Sequence, residues 1–177
     1  TFLLFCVGLN PVLIIQPFFV MLRYRILQKA RDKMVTMKDV KVIGITGSYG
    51  KTSTKEFLKT ILSEKYNVLA TPEHKNSEMG IAHTILTSLK PEHQIFIVEM
   101  GAYNKGGIDL LCSIAKPHIG IVTGVNEQHF STFGSMENLL SAEGGIELLK
   151  NLPLNGLLII NGDNKYCLDL YKRARSI

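Results

Sequence analysis

A chain of 177 residues with 46% hydrophobic content is long enough for one α/β domain and a short appendage, and too apolar to be a disordered tail. The formal net charge is only +5, and much of the basic excess falls in one run, Arg23-Tyr24-Arg25-Ile26-Leu27-Gln28-Lys29-Ala30-Arg31-Asp32-Lys33, which excludes a nucleic-acid-binding surface spread over the fold. Three cysteines, Cys6, Cys112 and Cys167, have neither C-x-x-C nor metal-type spacing, so no disulfide framework or zinc site is expected and a reducing cytosolic setting fits.

Residues 1–22 are almost wholly apolar and uncharged, close to the roughly 20 residues that a helix needs to cross a bilayer. The basic run follows at once, which by the positive-inside rule puts what comes next on the cytoplasmic face of the inner membrane. Asn10-Pro11 and Gln16-Pro17 interrupt the span, so a kinked helix or re-entrant hairpin competes with a straight crossing, and a buried core helix is the remaining alternative. A cleaved signal peptide is disfavoured, because the basic residues follow the apolar stretch instead of preceding it. Residues 1–22 are thus expected to be transmembrane or membrane-inserted, and residues 23–39 to form a basic juxtamembrane linker or helix.

From residue 40 the pattern changes. Apolar runs rich in Val and Ile at 40–46, 67–70, 94–98, 118–122 and 156–160 predict strands, and the stretches 52–64, 79–89, 108–115, 136–149 and 166–175 predict helices. This alternation predicts an α/β fold of P-loop type, a mainly parallel sheet with helices on both faces, preceded by the apolar helix. The sequence starts at Thr1 and stops after Arg175-Ser176-Ile177 without a domain ending, so a fragment of a longer protein is expected.

Gly47-Ser48-Tyr49-Gly50-Lys51-Thr52 follows the first strand and opens the first helix of this domain. Glycines let successive backbone N–H groups turn toward phosphate oxygens, and the helix N-terminus adds the positive end of its dipole. Gly47, Ser48, Tyr49, Gly50, Lys51, Thr52 and Ser53 are therefore candidate nucleotide-binding residues, with Lys51 reaching the terminal phosphates and the Thr52 hydroxyl on Mg2+. The longer G-x-x-x-x-G-K-T spacing would need glycine where Ile45 stands, so the match is to the shorter G-x-x-G-K-T. By itself the loop leaves a kinase, a GTPase and a ligase open.

Glu99 stands just past the end of a predicted central strand, near where the phosphate loop leaves its own strand, and a carboxylate there can hold Mg2+ against ATP phosphates. A merely structural buried glutamate would need a Lys or Arg partner, and the sequence points to none. Asn76 precedes a predicted helix and reads equally as an N-cap or as a ligand contact.

Four segments in order resemble the Mur ligases: Thr46-Gly47-Ser48-Tyr49-Gly50-Lys51-Thr52-Ser53-Thr54-Lys55-Glu56, Asn76-Ser77-Glu78-Met79-Gly80-Ile81, Val98-Glu99-Met100-Gly101-Ala102 and His129-Phe130-Ser131-Thr132-Phe133-Gly134-Ser135-Met136-Glu137. They are most similar to the branch that adds D-Ala-D-Ala to a UDP-muramoyl tripeptide. The resemblance covers the central ATP-binding domain, read as residues 40–177 and C-terminally incomplete. It implies ATP and Mg2+ as cofactors, a UDP-muramoyl peptide and the D-Ala-D-Ala dipeptide as partners, no nucleic acid, and amide formation through an acyl phosphate in peptidoglycan precursor synthesis. It further implies catalytic roles for Lys51, Glu99 and His129, a substrate or phosphate contact for Asn76, and a second Mg2+ at His129. Other Mur-like ligases (folylpolyglutamate or cyanophycin synthetase type), a membrane-anchored P-loop ATPase or GTPase, and an inactive nucleotide-binding relative are the alternatives. Neither Glu99 nor Asn161-Gly162-Asp163-Asn164 supplies a Walker B aspartate or a base-reading N-K-x-D.

One departure stands out. Many Mur ligases carry a lysine in an Ala-Lys segment that becomes carbamylated and serves the second Mg2+, whereas this chain has Ser141-Ala142-Glu143-Gly144-Gly145-Ile146-Glu147. Counting from either side puts Glu143 or Gly145 at that position. Glu143 is expected to supply directly the carboxylate that the carbamyl group would provide. Gly144-Gly145 should weaken the helix around it, by about 1 kcal/mol per glycine relative to alanine. The sequence shows neither a UDP-sugar-binding N-terminal domain nor an amine-bringing C-terminal one, so the chain is expected to bind nucleotide but not to complete a ligation.

Overall fold

The computed structural model describes residues 11–127 and 130–174. Five strands, β1 (Lys41–Thr46), β2 (Val68–Ala70), β3 (Ile95–Glu99), β4 (Ile119–Val122) and β5 (Leu157–Ile160), form one sheet in the order β2-β3-β1-β4-β5, and all four pairings are parallel. Parallel strands need crossovers, and helices supply them: α2 (Lys51–Ser63), α3 (Glu78–Ser88) and α4 (Gly107–Ala115), then the short α5 (Phe130–Phe133), α6 (Met136–Ala142) and α7 (Ile146–Asn151), with α8 (Lys165–Ala174) after β5. The expected α/β architecture with helices on both faces is what the chain adopts.

Period-two alternation divides the core. Ile43, Ile45, Ile95 and Ile97 face α2 through its Leu58 and Leu62. Val42, Phe96, Val98 and Val122 face the opposite layer, where Ile81, Ile85, Ile108, Leu111 and Leu148 of the other helices meet them. Two of the three inner strands, β1 and β3, are buried over nearly all of their residues, which explains why they read as unbroken apolar runs. β1 leads into a helix on one face, whereas β3 and β4 lead into helices on the other. The C-terminal ends of these three strands therefore surround a topological switch point, where open α/β sheets take their ligands.

The N-terminal expectation finds no support among the described residues. A single helix α1 (Pro11–Thr36) runs through the boundary placed at residue 22, with Pro17 inside it. Among the described residues no helix is long and apolar enough to cross a membrane; residues 1–10, which carry nearly half of the anticipated span, lie outside them. The reason is compositional: the described apolar part stops at Leu22, and the helix then turns polar with a narrow apolar stripe. Leu27, Ala30 and Met34 are buried at helical spacing against α3 and α4. The basic residues tether this helix, Arg31 to the Ser113 hydroxyl at 3.0 Å, Lys33 to the Leu86 carbonyl at 3.2 Å and Arg23 to Glu78 at 3.0 Å.

The helix expected over 136–149 is broken in two. Gly145, at φ 86°, is the N-cap of α7, and a Cβ there would lie 2.5 Å from Val122 Cγ2. Glycine here does more than weaken a helix. It ends α6 and lets the chain turn with Glu143 and Glu147 both buried. Cys112 and Cys167 are free and buried, and burial pushes the Cys112 thiol up to about 12, with Asp109 and Glu147 adding to the shift. Both are inert core residues.

Candidate nucleotide and metal site

The phosphate loop is shaped by backbone that only glycine tolerates. Gly47 sits at φ 137°, where a Cβ would meet the Thr123 hydroxyl at 2.3 Å, and Gly50 sits at φ 75° as the N-cap of α2. Among the described residues no side chain caps this helix, and its first described backbone bond runs from Thr54 N–H to Gly50 C=O. The N–H groups of the first turn are thus left for an outside acceptor, with the dipole favouring an anion. Lys51 Nζ reaches back to donate to Gly47 C=O, Thr52 and Ser53 are exposed on the first turn, and Tyr49 is partly exposed.

The segment after β4 braces the loop. Ser48 N–H donates to Gly124 C=O at 2.8 Å, and the Thr123 hydroxyl lies 2.5 Å from Tyr49 C=O and 3.1 Å from Thr46 C=O, donating to one of them at a time. Gly124 sits at φ 151°, a backbone conformation that side chains other than glycine's rarely adopt, and a Cβ there would also fall 2.3 Å from the Tyr49 hydroxyl. Asn161 and Asn164, set aside in the sequence as a failed base-reading motif, donate to Thr123 C=O at 3.0 Å and to Val125 C=O at 2.9 Å.

Glu99 ends β3, beside Ile45 of β1, and is 4% exposed. Its Oε1 accepts from the Thr52 hydroxyl at 3.1 Å and from Asn76 Nδ2 at 3.2 Å, and its own N–H donates to the Thr71 hydroxyl at 3.0 Å. Asn76 is not the cap of α3: Ser77 is, accepting from Gly80 N–H. Gly101 makes room for Asn76, since a Cβ there would lie 3.0 Å from Asn76 Cγ. On the other side of the carboxylate stands a residue that the sequence reading missed. Lys55, with a wholly buried side chain, places Nζ 3.3 Å from Glu99 Oε2 and 3.3 Å from Glu56 Oε1, aligned for a hydrogen bond with neither. The available signal was helical spacing, because Lys55 lies three residues past Thr52 and four past Lys51, on the face of α2 turned toward the site.

Glu143 comes to the phosphate loop from α6, 95 residues along the chain from Ser48. Its Oε2 accepts from the Ser48 hydroxyl at 2.5 Å, and that hydroxyl also accepts from Asn126 N–H at 3.2 Å. The structure therefore brings together Gly47, Ser48, Gly50, Lys51, Thr52, Asn76, Glu99 and Glu143 at one end of the sheet. His129 lies outside the described residues.

The donor set suits Mg2+. Two cis oxygens on an octahedral Mg2+ at 2.0–2.1 Å lie about 2.9 Å apart, and the Thr52 and Glu99 oxygens are 3.1 Å apart. Among the described residues no group of three or more His, Cys, Asp or Glu could hold a metal alone.

A parallel sheet with an uncapped, glycine-shaped loop and hard oxygen donors at its switch point defines a phosphate-loop α/β domain. Within that class, the chain belongs to the Mur ligases, whose middle domain matches residues 45–177. It is 41% identical over 134 residues to the UDP-N-acetylmuramoyl-tripeptide–D-alanyl-D-alanine ligase of Synechocystis sp., covering 76% of this chain and 29% of that protein. The ligase of the same name from Bacillus subtilis is 37% identical over 132 residues, 74% of this chain and 28% of the relative. The fold superposes on MurF ligase from Thermotoga maritima in complex with ADP with a TM-score of 0.78 at 32% identity, covering 87% of this chain and 34% of that one. A MurF structure from Acinetobacter baumannii gives 0.77 at 29% identity, with 87% and 33% covered. The chain thus spans less than a third of the length of the curated relatives named here.

Proposed function

We propose that this chain is the central ATP-binding part of a ligase that joins D-Ala-D-Ala to a UDP-muramoyl tripeptide, with residues 40–177 as its ATP-binding domain. The observation that carries the reading is the pairing of Thr52 and Glu99 at Mg2+-compatible distance beside an uncapped phosphate loop. The names and ADP complex of the relatives point the same way.

Each residue then has a task. Loop N–H groups from Gly47 to Thr52, with Tyr49 and Ser53 flanking them, hold the ATP phosphates. Lys51 exchanges its bond to Gly47 C=O for one to the terminal phosphate, offsetting charge that develops during transfer. Thr52 and Glu99 hold Mg2+, while Glu143, with His129 by resemblance, serves a second ion. Bound Mg2+ supplies Lewis-acid neutralisation of the transferring phosphoryl group. Asn76 fixes the rotamer of Glu99 and contacts the phosphates or the acyl substrate. The γ-phosphoryl group passes to the peptide carboxylate, and the amine of D-Ala-D-Ala displaces phosphate from the acyl phosphate to give amide, ADP and phosphate.

The test is ADP release by the full-length protein with both substrates present and with each omitted. Release that requires UDP-muramoyl tripeptide and D-Ala-D-Ala together is the expected result. Release indifferent to both would return the protein to the P-loop ATPases. Nucleotide binding without any release would identify an inactive relative, the reading that the missing Ala-Lys lysine favours.

A further inference from the structure

Lys55 has no task in the reaction just described, yet it is the most deeply buried ammonium of the site. Its side chain is wholly buried, and among the described residues its carboxylate neighbours are Glu56 and Glu99, each at 3.3 Å. Glu56 is half exposed and can turn to water, whereas Glu99 is pinned by Thr52 and Asn76 at its other oxygen. Removing a cation from water is costly unless an anion compensates it, so the pair with Glu99 is what keeps Lys55 inside. The geometry also divides the carboxylate in two. Oε2 faces the ammonium, and Oε1 faces Thr52 and the phosphate loop.

We propose that Lys55 is a positioning residue for the metal site, a built-in cation that turns Glu99 Oε1 toward the loop and keeps divalent metal off Glu99 until nucleotide phosphates arrive. The inference rests on the Mg-nucleotide reading above and deepens it. A carboxylate already neutralised by an ammonium 3.3 Å away attracts a divalent ion weakly, and the ammonium repels that ion directly. The charge of a triphosphate outweighs one ammonium, so metal then enters with the nucleotide. Metal loading is thereby tied to nucleotide loading by one residue that touches neither substrate.

Mn2+ serves as the probe, because free and bound Mn2+ are distinguished by electron paramagnetic resonance without turnover. The full-length protein is expected to bind Mn2+ tightly only with ADP or ATP present. Lys55→Met should bind Mn2+ without nucleotide about tenfold or more tightly than the parent, since a nearby like charge has been removed. Lys55→Arg should behave as the parent, and Lys55→Met with Glu99→Gln should lose the new binding. Equal nucleotide-free affinity in Lys55→Met and the parent overturns the proposal. Where Lys55→Met does not fold by circular dichroism, Lys55→Gln replaces it. Tight nucleotide-free Mn2+ binding by the unmodified protein overturns the proposal whatever the variants do. Absence of Mn2+ binding by the unmodified protein even with nucleotide is a separate outcome, which removes the Mg-nucleotide reading itself and the inference with it.

Discussion

Glu99 and Glu147 are both buried carboxylates, 4% and 2% exposed, and they are held in opposite ways. Glu147 accepts from Gly106 N–H at 2.8 Å and the Ser141 hydroxyl at 2.9 Å through one oxygen, and from Asp109 N–H at 3.1 Å through the other. Two of these donors are main chain at the start of α4, so Glu147 acts as that helix's cap, supplied from α7. Among the described residues the Glu99 carboxylate is met by side chains alone, a hydroxyl, an amide and an ammonium. Partners fixed in the backbone mark a carboxylate that holds the fold together. Side-chain partners beside a phosphate loop mark one that is placed to meet a ligand.

Three substitutions test that division. Glu99→Gln should have the largest effect, lowering ADP release by about 100-fold or more through loss of a charge-stabilising group. It should also cost about 3 kcal/mol in denaturant unfolding, because Lys55 stays buried without its carboxylate. Native ADP release in this variant would move Glu99 into the structural class beside Glu147. Glu147→Gln should cost about 1–3 kcal/mol of stability through unmet main-chain donors, with ADP release unchanged well below the melting transition; a loss of release at unchanged stability would erase the contrast. Glu143→Gln is the smallest and sharpest case, since glutamine can still accept from Ser48. A higher Mg2+ requirement for ADP release is expected, and an unchanged one would make Glu143 a brace for the loop and not a metal ligand.

The strands were legible because parallel strands buried on both faces must be apolar throughout, and the runs at 40–46 and 94–98 could hardly be anything else. Glycine spacing gave away the phosphate loop, since its backbone requirement is local. Lys55 was not legible as a partner of Glu99: the pair spans 44 residues, and a lysine on a polar helix ordinarily faces water. The division of 136–149 into two helices was hidden for a related reason, because the side chain that leaves no room for a Cβ at Gly145 is Val122, a residue of another element. α1 misled in the other direction. Its charges were read as a membrane-side signature, whereas Arg31 and Lys33 spend them on hydrogen bonds to the neighbouring helices.

That helix has a mechanical side. Twenty-six residues of α-helix make a rod about 39 Å long; Leu27, Ala30 and Met34 sink it into the domain against α3 and α4, while residues 15–25 are exposed. The Arg23–Glu78 pair joins the exposed stretch to α3 two residues from Asn76, and an exposed ion pair contributes at most about 1 kcal/mol. The apolar seam, and not that pair, is therefore what fastens the rod.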